Sequence, residues 1–253
     1  MGYRSVTSAL VIGLSRDGDV VTIELQRPDR RNALNSELCL AVHRGVEQAE
    51  RDGARVVVIT GRGTSFCAGA DLTGDAFPDS FGQILEEMLT AIERVSIPVV
   101  AAVNGPAVGA GTQLAIACDL RVVAPGSFFE IPSTRLGIAV SNWTIRRLAA
   151  LAGGGVARTI LIGGERVHAE QAHTCGLANK LGDVDAAMEW AQSITELAPL
   201  ALRHLKLVFN DDAAHDVPTP EQAAAFQAAW SSEDMREARR ARAEKRPPKF
   251  VGR

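Results

Sequence analysis

The sequence predicts an α/β fold in which β-β-α units follow one another and a helical C-terminal region closes the chain. Short apolar runs bounded by glycine or proline alternate with longer stretches of helical period, and from Asn142 onward helical patterns dominate. No fixed sequence period accompanies the units. They suggest stacked turns of a spiral, with a doubly wound sheet as an alternative of similar appearance.

Each element has a local cause. Residues 9–14 and 20–25 read as strands around the turn Arg16, Asp17, Gly18, Asp19, where Asp-Gly favours a hairpin. Asn35 can cap a helix that carries Leu38, Val42, Val46 and Ala49 on one stripe, with Gly53 to stop it. RVVVIT at residues 55–60 has adjacent apolar side chains, as a parallel strand covered on both faces requires. A loop containing residues 66–72 follows, then a helix near residues 81–95. Residues 98–103 read as a buried strand, 104–111 as a glycine-rich turn, 113–118 as a helix, and 120–124 and 128–131 as further strands. Helices are expected at 184–197 and 200–208, and Pro218 and Pro220 introduce a last helical region over 221–245. The expected division is a core over residues 1–195 and a helical region over 196–253.

Composition narrows the function. With 46% hydrophobic and 23% charged residues, 253 residues can bury a core in one domain without covalent staples. Lys and Arg number 27 against 30 Asp and Glu, a formal charge of −3 that supports neither nucleic-acid nor general membrane binding. Small ligands become the default. Cys39, Cys67, Cys118 and Cys175 have no paired spacing and, with the five histidines, make no metal-ligand pattern. Buried free thiols in a reducing cytoplasm are expected, with no bound metal. The first residues lack the apolar stretch of a signal peptide, no later run reaches the length of a membrane span, and Val6 stands where a myristoylation motif needs a small residue. His43, His168, His173, His204 and His215 belong to no visible nucleophile-base motif, and no GxSxG elbow occurs. Gly61-Arg62-Gly63 fails as a dinucleotide turn because Phe66 takes the third glycine position.

Two loops stand out. Phe66-Cys67-Ala68-Gly69-Ala70-Asp71-Leu72 follows a buried strand, and its small residues leave backbone amides uncovered. The turn at residues 104–111 joins a strand to a helix whose first N–H groups and positive dipole end face the turn. Such loops can aim two backbone donors at one oxygen.

With RPDRRNALN at residues 27–35, FCAGADL at 66–72, NGPAVGAGTQLAIACD at 104–119, FFEIPSTRLG ending at Gly137 and EKRPPKF at 244–250, the chain resembles the enoyl-CoA hydratase/isomerase, or crotonase, superfamily over nearly its whole length. The resemblance implies a crotonase-like spiral of repeated β-β-α units with a C-terminal helical trimerisation region, assembled as a homotrimer or dimer of trimers. Its implied ligand is an acyl-CoA thioester, with coenzyme A present only as part of that ligand and no tightly bound cofactor. Ala70 and Ala110 match the residues whose N–H groups hold the thioester oxygen in the family. Arg30, Arg31, Ala33, Ala68, Asp71 and Leu72 match positions around the CoA nucleotide and pantetheine arm, and Lys249 and Phe250 match a tail that reaches CoA phosphates or a neighbouring subunit.

The chain departs from the family where its chemistry resides. Gln113 and Ser133 stand at the two catalytic glutamate positions. An amide can orient water without taking its proton, and an unassisted serine is a poor acid or base; each missing proton-transfer group costs about 10²- to 10⁴-fold in rate. Downstream, Ile138 to Trp143 replaces a glycine-rich segment, and Trp143 would add apolar surface near the implied acyl pocket, although tryptophan is first expected in a core. The pattern is similar to glutamate-lacking mycobacterial paralogues of the family, which implies long-chain acyl-CoA binding and partners in fatty-acid or mycolic-acid synthesis. Bland alternatives accompany these positions: Gln113 as an ordinary polar residue at a helix start, Ser133 as a cap for the following helix, and the tail from Arg236, with eight basic and two acidic residues, as a solvated helix. Arg242 replaces a phenylalanine common in relatives. Asp71, Asp75, Glu86 or Glu87 could supply a relocated acid in an active hydratase or isomerase, and a scaffold that binds no ligand is the third reading.

Overall fold

The computed structural model describes residues 11–72 and 80–253. β1 (Ile12–Asp17) and β2 (Val20–Leu25) form the expected hairpin, from Ile12 opposite Leu25 to Asp17 opposite Val20. Residues 9 and 10 of the expected first strand lie outside the described residues, and β1 continues past Leu14 to the exposed Asp17 because pairing with β2 sets that end. Asn35 caps α1 (Ser36–Arg51): its side chain accepts from the Leu38 N–H at 2.9 Å. Leu38, Val42, Val46 and Ala49 are all buried, and each Leu or Val contributes roughly 1.5–3 kcal/mol.

β3 (Val56–Gly61) lies parallel to β2, with Val57 beside Val21. Val57 and Ile59 pack with the α1 stripe, whereas Val56 and Val58 pack with Ala187, Ala191 and Ile194 of α6 (Val184–Thr195). Cover on both faces explains the absence of polar alternation. α2 (Phe81–Arg94) leads to β4 (Val99–Val103); β5 (Ala107–Val108) and α3 (Ala110–Ala117) precede β6 (Leu120–Val123), and β9 (Lys180–Leu181) ends the main sheet. Its strand order is β1-β2-β3-β4-β6-β9. Each unit adds its strand to the same growing edge. A doubly wound sheet reverses direction at a switch point, so the spiral is the arrangement found. β5, β7 (Phe128–Glu130) and β8 (Val167–His168) form a second, small sheet.

α3 is buried almost throughout, and its ends are treated differently. At the C-terminal end Arg121, 1% exposed, donates to the carbonyls of Ala115, Cys118, Asp119 and Leu177 at 2.6 to 3.4 Å, and Arg147 Nε donates to Ile116 O at 3.1 Å. Burial lowers the Arg121 pKa to about 10, which leaves it charged at neutral pH. Two cations therefore oppose the negative end of the dipole, while the N-terminal amides stay open. Arg121→Ala strips several buried carbonyls of their donor and is expected to lower unfolding free energy by at least about 2 kcal/mol in a denaturant melt. A loss below about 0.5 kcal/mol, the usual range of a surface change, contradicts this role.

α4 (Asn142–Leu161), broken at Gly153, and α5 (Ala169–Thr174) precede β9, and after that strand the regular elements are all helices among the described residues. α7 (Pro199–Phe209) is pinned by Lys206, whose Nζ donates to Ile92 O and Ile97 O at 3.0 Å and to Asp119 Oδ2 at 2.8 Å. The single helical region expected over 221–245 is two helices, α8 (Pro220–Ser231) and α9 (Glu233–Ala243). Ser232 separates them because its hydroxyl accepts from the Met235 N–H at 3.0 Å and so starts a new helix. No helix among the described residues is long and apolar enough to cross a membrane.

Candidate functional site

The two loops singled out by their small residues run side by side. The Cys67 N–H donates to Pro106 O at 3.2 Å and the Val108 N–H to Cys67 O at 2.9 Å. A side chain on Gly111 would strike the Cys67 carbonyl, and a Cβ on Gly69, with φ 95°, would sit 2.7 Å from Val108 O. Only glycine permits this approach. As a result Ala70 and Ala110 line one cavity of about 400 Å³. Neither N–H has an acceptor among the described residues. Ala110 opens α3 and so lacks an intrahelical partner, and around Ala70 the carbonyls are taken: Leu34 N–H donates to Gly69 O and Asp71 N–H to Leu34 O, both at 2.7 Å. Two unpaired amides on one cavity wall, one of them at the positive end of a helix, can polarise a carbonyl oxygen.

Gln113 and Ser133 line the same cavity. Gln113 Nε2 donates to Thr144 Oγ1 at 2.8 Å, and that buried hydroxyl in turn meets Ser141 Oγ at 3.0 Å. The amide is thus oriented from behind, with its Oε1 left without a partner among the described residues. Ser133 does not cap the short helix after it. Its backbone is already in the α region, so its side chain cannot turn back onto the Leu136 amide, which bonds the Ser133 carbonyl instead at 3.0 Å. Ser133 is a buried residue on the cavity wall, and its hydroxyl, which has no hydrogen bond among the described residues, is not sealed from the cavity.

The rest of the lining is largely apolar, with Leu72, Phe81, Leu85, Leu89, Ile131, Leu136, Ile138, Val140, Phe226 and Trp230 prominent. Trp143 is half-buried and serves both roles weighed for it, packing on the core and facing the cavity. Sequence reasoning missed Glu93. It lies in line with Phe81, Leu85 and Leu89 at intervals of four on α2, and a carboxylate on that apolar stripe was the legible signal. Its Oε1 accepts from Trp143 Nε1 and its Oε2 meets His215 Nε2, each at 3.0 Å. Burial raises the Glu93 carboxyl above the usual carboxylate range, partly offset by His215 and Trp143. His215, Phe226 and Trp230 were also missed because their segment meets the site only through the tertiary fold. Trp230 Nε1 reaches Ala139 O at 3.0 Å.

Other expected residues fall elsewhere. Ala68 and Leu72 line the cavity, whereas Arg30 and Arg31 are exposed on a braced turn beside it in sequence. Buried Asn32 holds that turn by accepting from Arg27 N–H at 3.0 Å and donating to Arg62 O and Ser65 O at 3.0 and 2.8 Å. Arg27 also donates to the Ala33 carbonyl and to Asp71 Oδ2, the latter at 2.9 Å. Asp71 as a relocated acid is therefore corrected: its carboxylate is buried in an ion pair with Arg27. Glu86 is exposed at the cavity edge, Glu87 is exposed outside it, and Asp75 lies outside the described residues. Lys249 and Phe250 do not reach the cavity of their own chain. Their segment folds back on α9, where Lys249 N–H donates to Glu237 Oε1 at 3.0 Å and the guanidinium groups of Arg246 and Arg240, with that amide, hold the Glu237 carboxyl well below the usual range. Arg242 is exposed. All four cysteines are free, and burial pushes the Cys39, Cys67 and Cys118 thiols up to about 12, which makes them inert. No cluster of metal-ligating side chains occurs among the described residues.

A spiral of β-β-α units with two opposed glycine loops defines a protein class, and the family model for enoyl-CoA hydratase/isomerase matches residues 15–253. The chain belongs to the enoyl-CoA hydratase/isomerase family. It is 50% identical over 242 residues to the "Probable enoyl-CoA hydratase echA6" of Mycobacterium tuberculosis, covering 96% of this chain and all of that one. Among solved structures it resembles carnitinyl-CoA hydratase from Mycobacterium avium, with a TM-score of 0.85, 32% identity and coverage of 97% and 100% of the two chains. An enoyl-CoA hydratase/isomerase from Pseudoalteromonas atlantica also gives a TM-score of 0.85, at 27% identity over 95% of this chain and 100% of that one.

Proposed function

We propose that this chain binds long-chain acyl-CoA thioesters of fatty-acid metabolism and has little or no hydratase activity. One observation carries the reading: the unpaired amides of Ala70 and Ala110 share a cavity with Gln113 and Ser133, where no carboxyl group stands at either glutamate position. The amides would donate to the thioester oxygen, the apolar wall would take the acyl chain, and Arg30 and Arg31, with no ion pair among the described residues, would meet CoA phosphates. Self-association is supported by the exposed apolar side chains of α7, among them Leu200, Leu207, Val208 and Phe209. A trimeric neighbour would give Lys249 and Phe250 a second chain to reach. The cytoplasm and a role beside lipid-synthesis proteins follow from the same reading.

Titration with CoA thioesters of increasing acyl length, paired with a hydration assay in the same samples, tests it. Affinity is expected to rise about three- to fourfold per methylene until the cavity is full, with negligible hydration of crotonyl-CoA. Flat affinity, or robust hydration, overturns the proposal. A second reading, an active hydratase or isomerase with a relocated acid, is favoured by Glu93 alone, the buried carboxyl on the cavity wall. Turnover by the pure protein that Glu93→Gln removes would select it.

A further inference from the structure

The Glu93–His215 pair interrupts a largely apolar stretch of the cavity wall formed by Leu89, Trp143, Phe226 and Trp230. Glu93 is fully engaged: Oε1 with Trp143 Nε1, Oε2 with His215 Nε2, and its backbone carbonyl with Asn210 Nδ2 at 3.0 Å. The carboxylate on Nε2 fixes the imidazole and leaves Nδ1 without a partner among the described residues. His215 lines the cavity with its side chain 52% exposed, held near the Trp143 ring at 6.4 Å between centroids. Water can satisfy Nδ1 when the cavity is open. An unsubstituted acyl chain lying along Trp143, Phe226 and Leu89 would displace that water and put nothing in its place.

We infer that His215, oriented by Glu93, is a recognition point for a hydroxyl group on the acyl chain. The inference rests on the acyl-CoA reading above and specifies the substrate class. A neutral imidazole bonded through Nε2–H presents an acceptor at Nδ1, and a charged one presents a donor. A hydroxyl serves both states, because it donates and accepts. A carboxylate substituent would instead meet the Glu93 charge across the ring, and a methylene offers no hydrogen bond.

The experiment is a calorimetric titration of the full chain with CoA thioesters of one acyl length, unsubstituted or hydroxylated at successive positions from C3 to the chain end. The readout is the affinity ratio of each hydroxylated ligand to the unsubstituted one. At least one regioisomer is expected to bind about tenfold tighter, a modest factor because His215 is half-exposed. In His215→Phe, which keeps a ring and removes both nitrogens, the ratio is expected to fall to about one. The double variant Glu93→Gln with His215→Phe is measured alongside, so that an unpaired buried carboxyl does not confound folding, and thermal melts confirm each fold. A ratio near one at every position in the wild type, or a preference that survives in both variants, overturns the inference while acyl-CoA binding itself persists. Failure of every thioester to bind wild-type protein overturns the acyl-CoA reading and this inference together.

Discussion

Gln113→Glu combined with Ser133→Glu is expected to raise hydration of crotonyl-CoA by at least about 10²-fold over the wild type. Hydration needs one group to take a proton from water and another to protonate carbon, so either change alone leaves half of the transfer unassisted and gains far less. Both positions can take the new side chain. Glutamate is close to glutamine in shape, and the Thr144 hydroxyl that accepts from the Gln113 amide can rotate to donate to a carboxylate. The Ser133 hydroxyl makes no hydrogen bond among the described residues, so its removal breaks none there, and the residue already lines the cavity. Steady-state turnover, with acyl-CoA affinity measured on the same protein, is the check. Intact binding with no gain in turnover would show that these side chains do not flank the reacting carbons.

Ala110→Pro deletes one of the two open amides at little cost to the fold. Ala110 is the first residue of α3, where proline's lack of an N–H sacrifices no helical hydrogen bond and its fixed φ suits the turn. A neutral thioester carbonyl loses one ordinary hydrogen bond, so acyl-CoA affinity is expected to fall by roughly tenfold. An enolate oxygen loses far more. In the double-glutamate background the same change is expected to lower turnover by about 10²- to 10³-fold. That split between binding and turnover marks a donor that acts on developing charge. Ala110→Ser, which keeps the N–H, is the control, and equal losses in both variants would assign the effect to packing.

The fold was legible because its signals were local. Asn35, the α1 stripe and RVVVIT each dictate their element without reference to the rest of the chain, and the glycines of the two loops mark where backbones touch. The direction in which strands are added was not local, since a spiral and a doubly wound sheet share the same order of elements and differ only in which edge grows. At the site, Ala70, Ala110, Gln113, Ser133 and Trp143 do line one cavity. Asp71 stayed open as one of four candidate acids because its partner Arg27 lies 44 positions away in sequence. Ser133 was misjudged as a cap because capping depends on a backbone angle that residue type alone does not set. Glu93 was readable from its place on the α2 stripe, whereas His215, 122 positions away, was not.

Phe226 and Trp230 lie on α8, which follows every strand of the spiral in the chain, yet they form part of the cavity wall. During synthesis the spiral emerges before α8 and domains fold as they emerge, which leaves an unroofed greasy trough on the nascent protein until α8 follows. A ligand that arrives early finds a berth without its Phe226 and Trp230 wall, and a chain released short of α8 carries that trough open to other unfinished proteins.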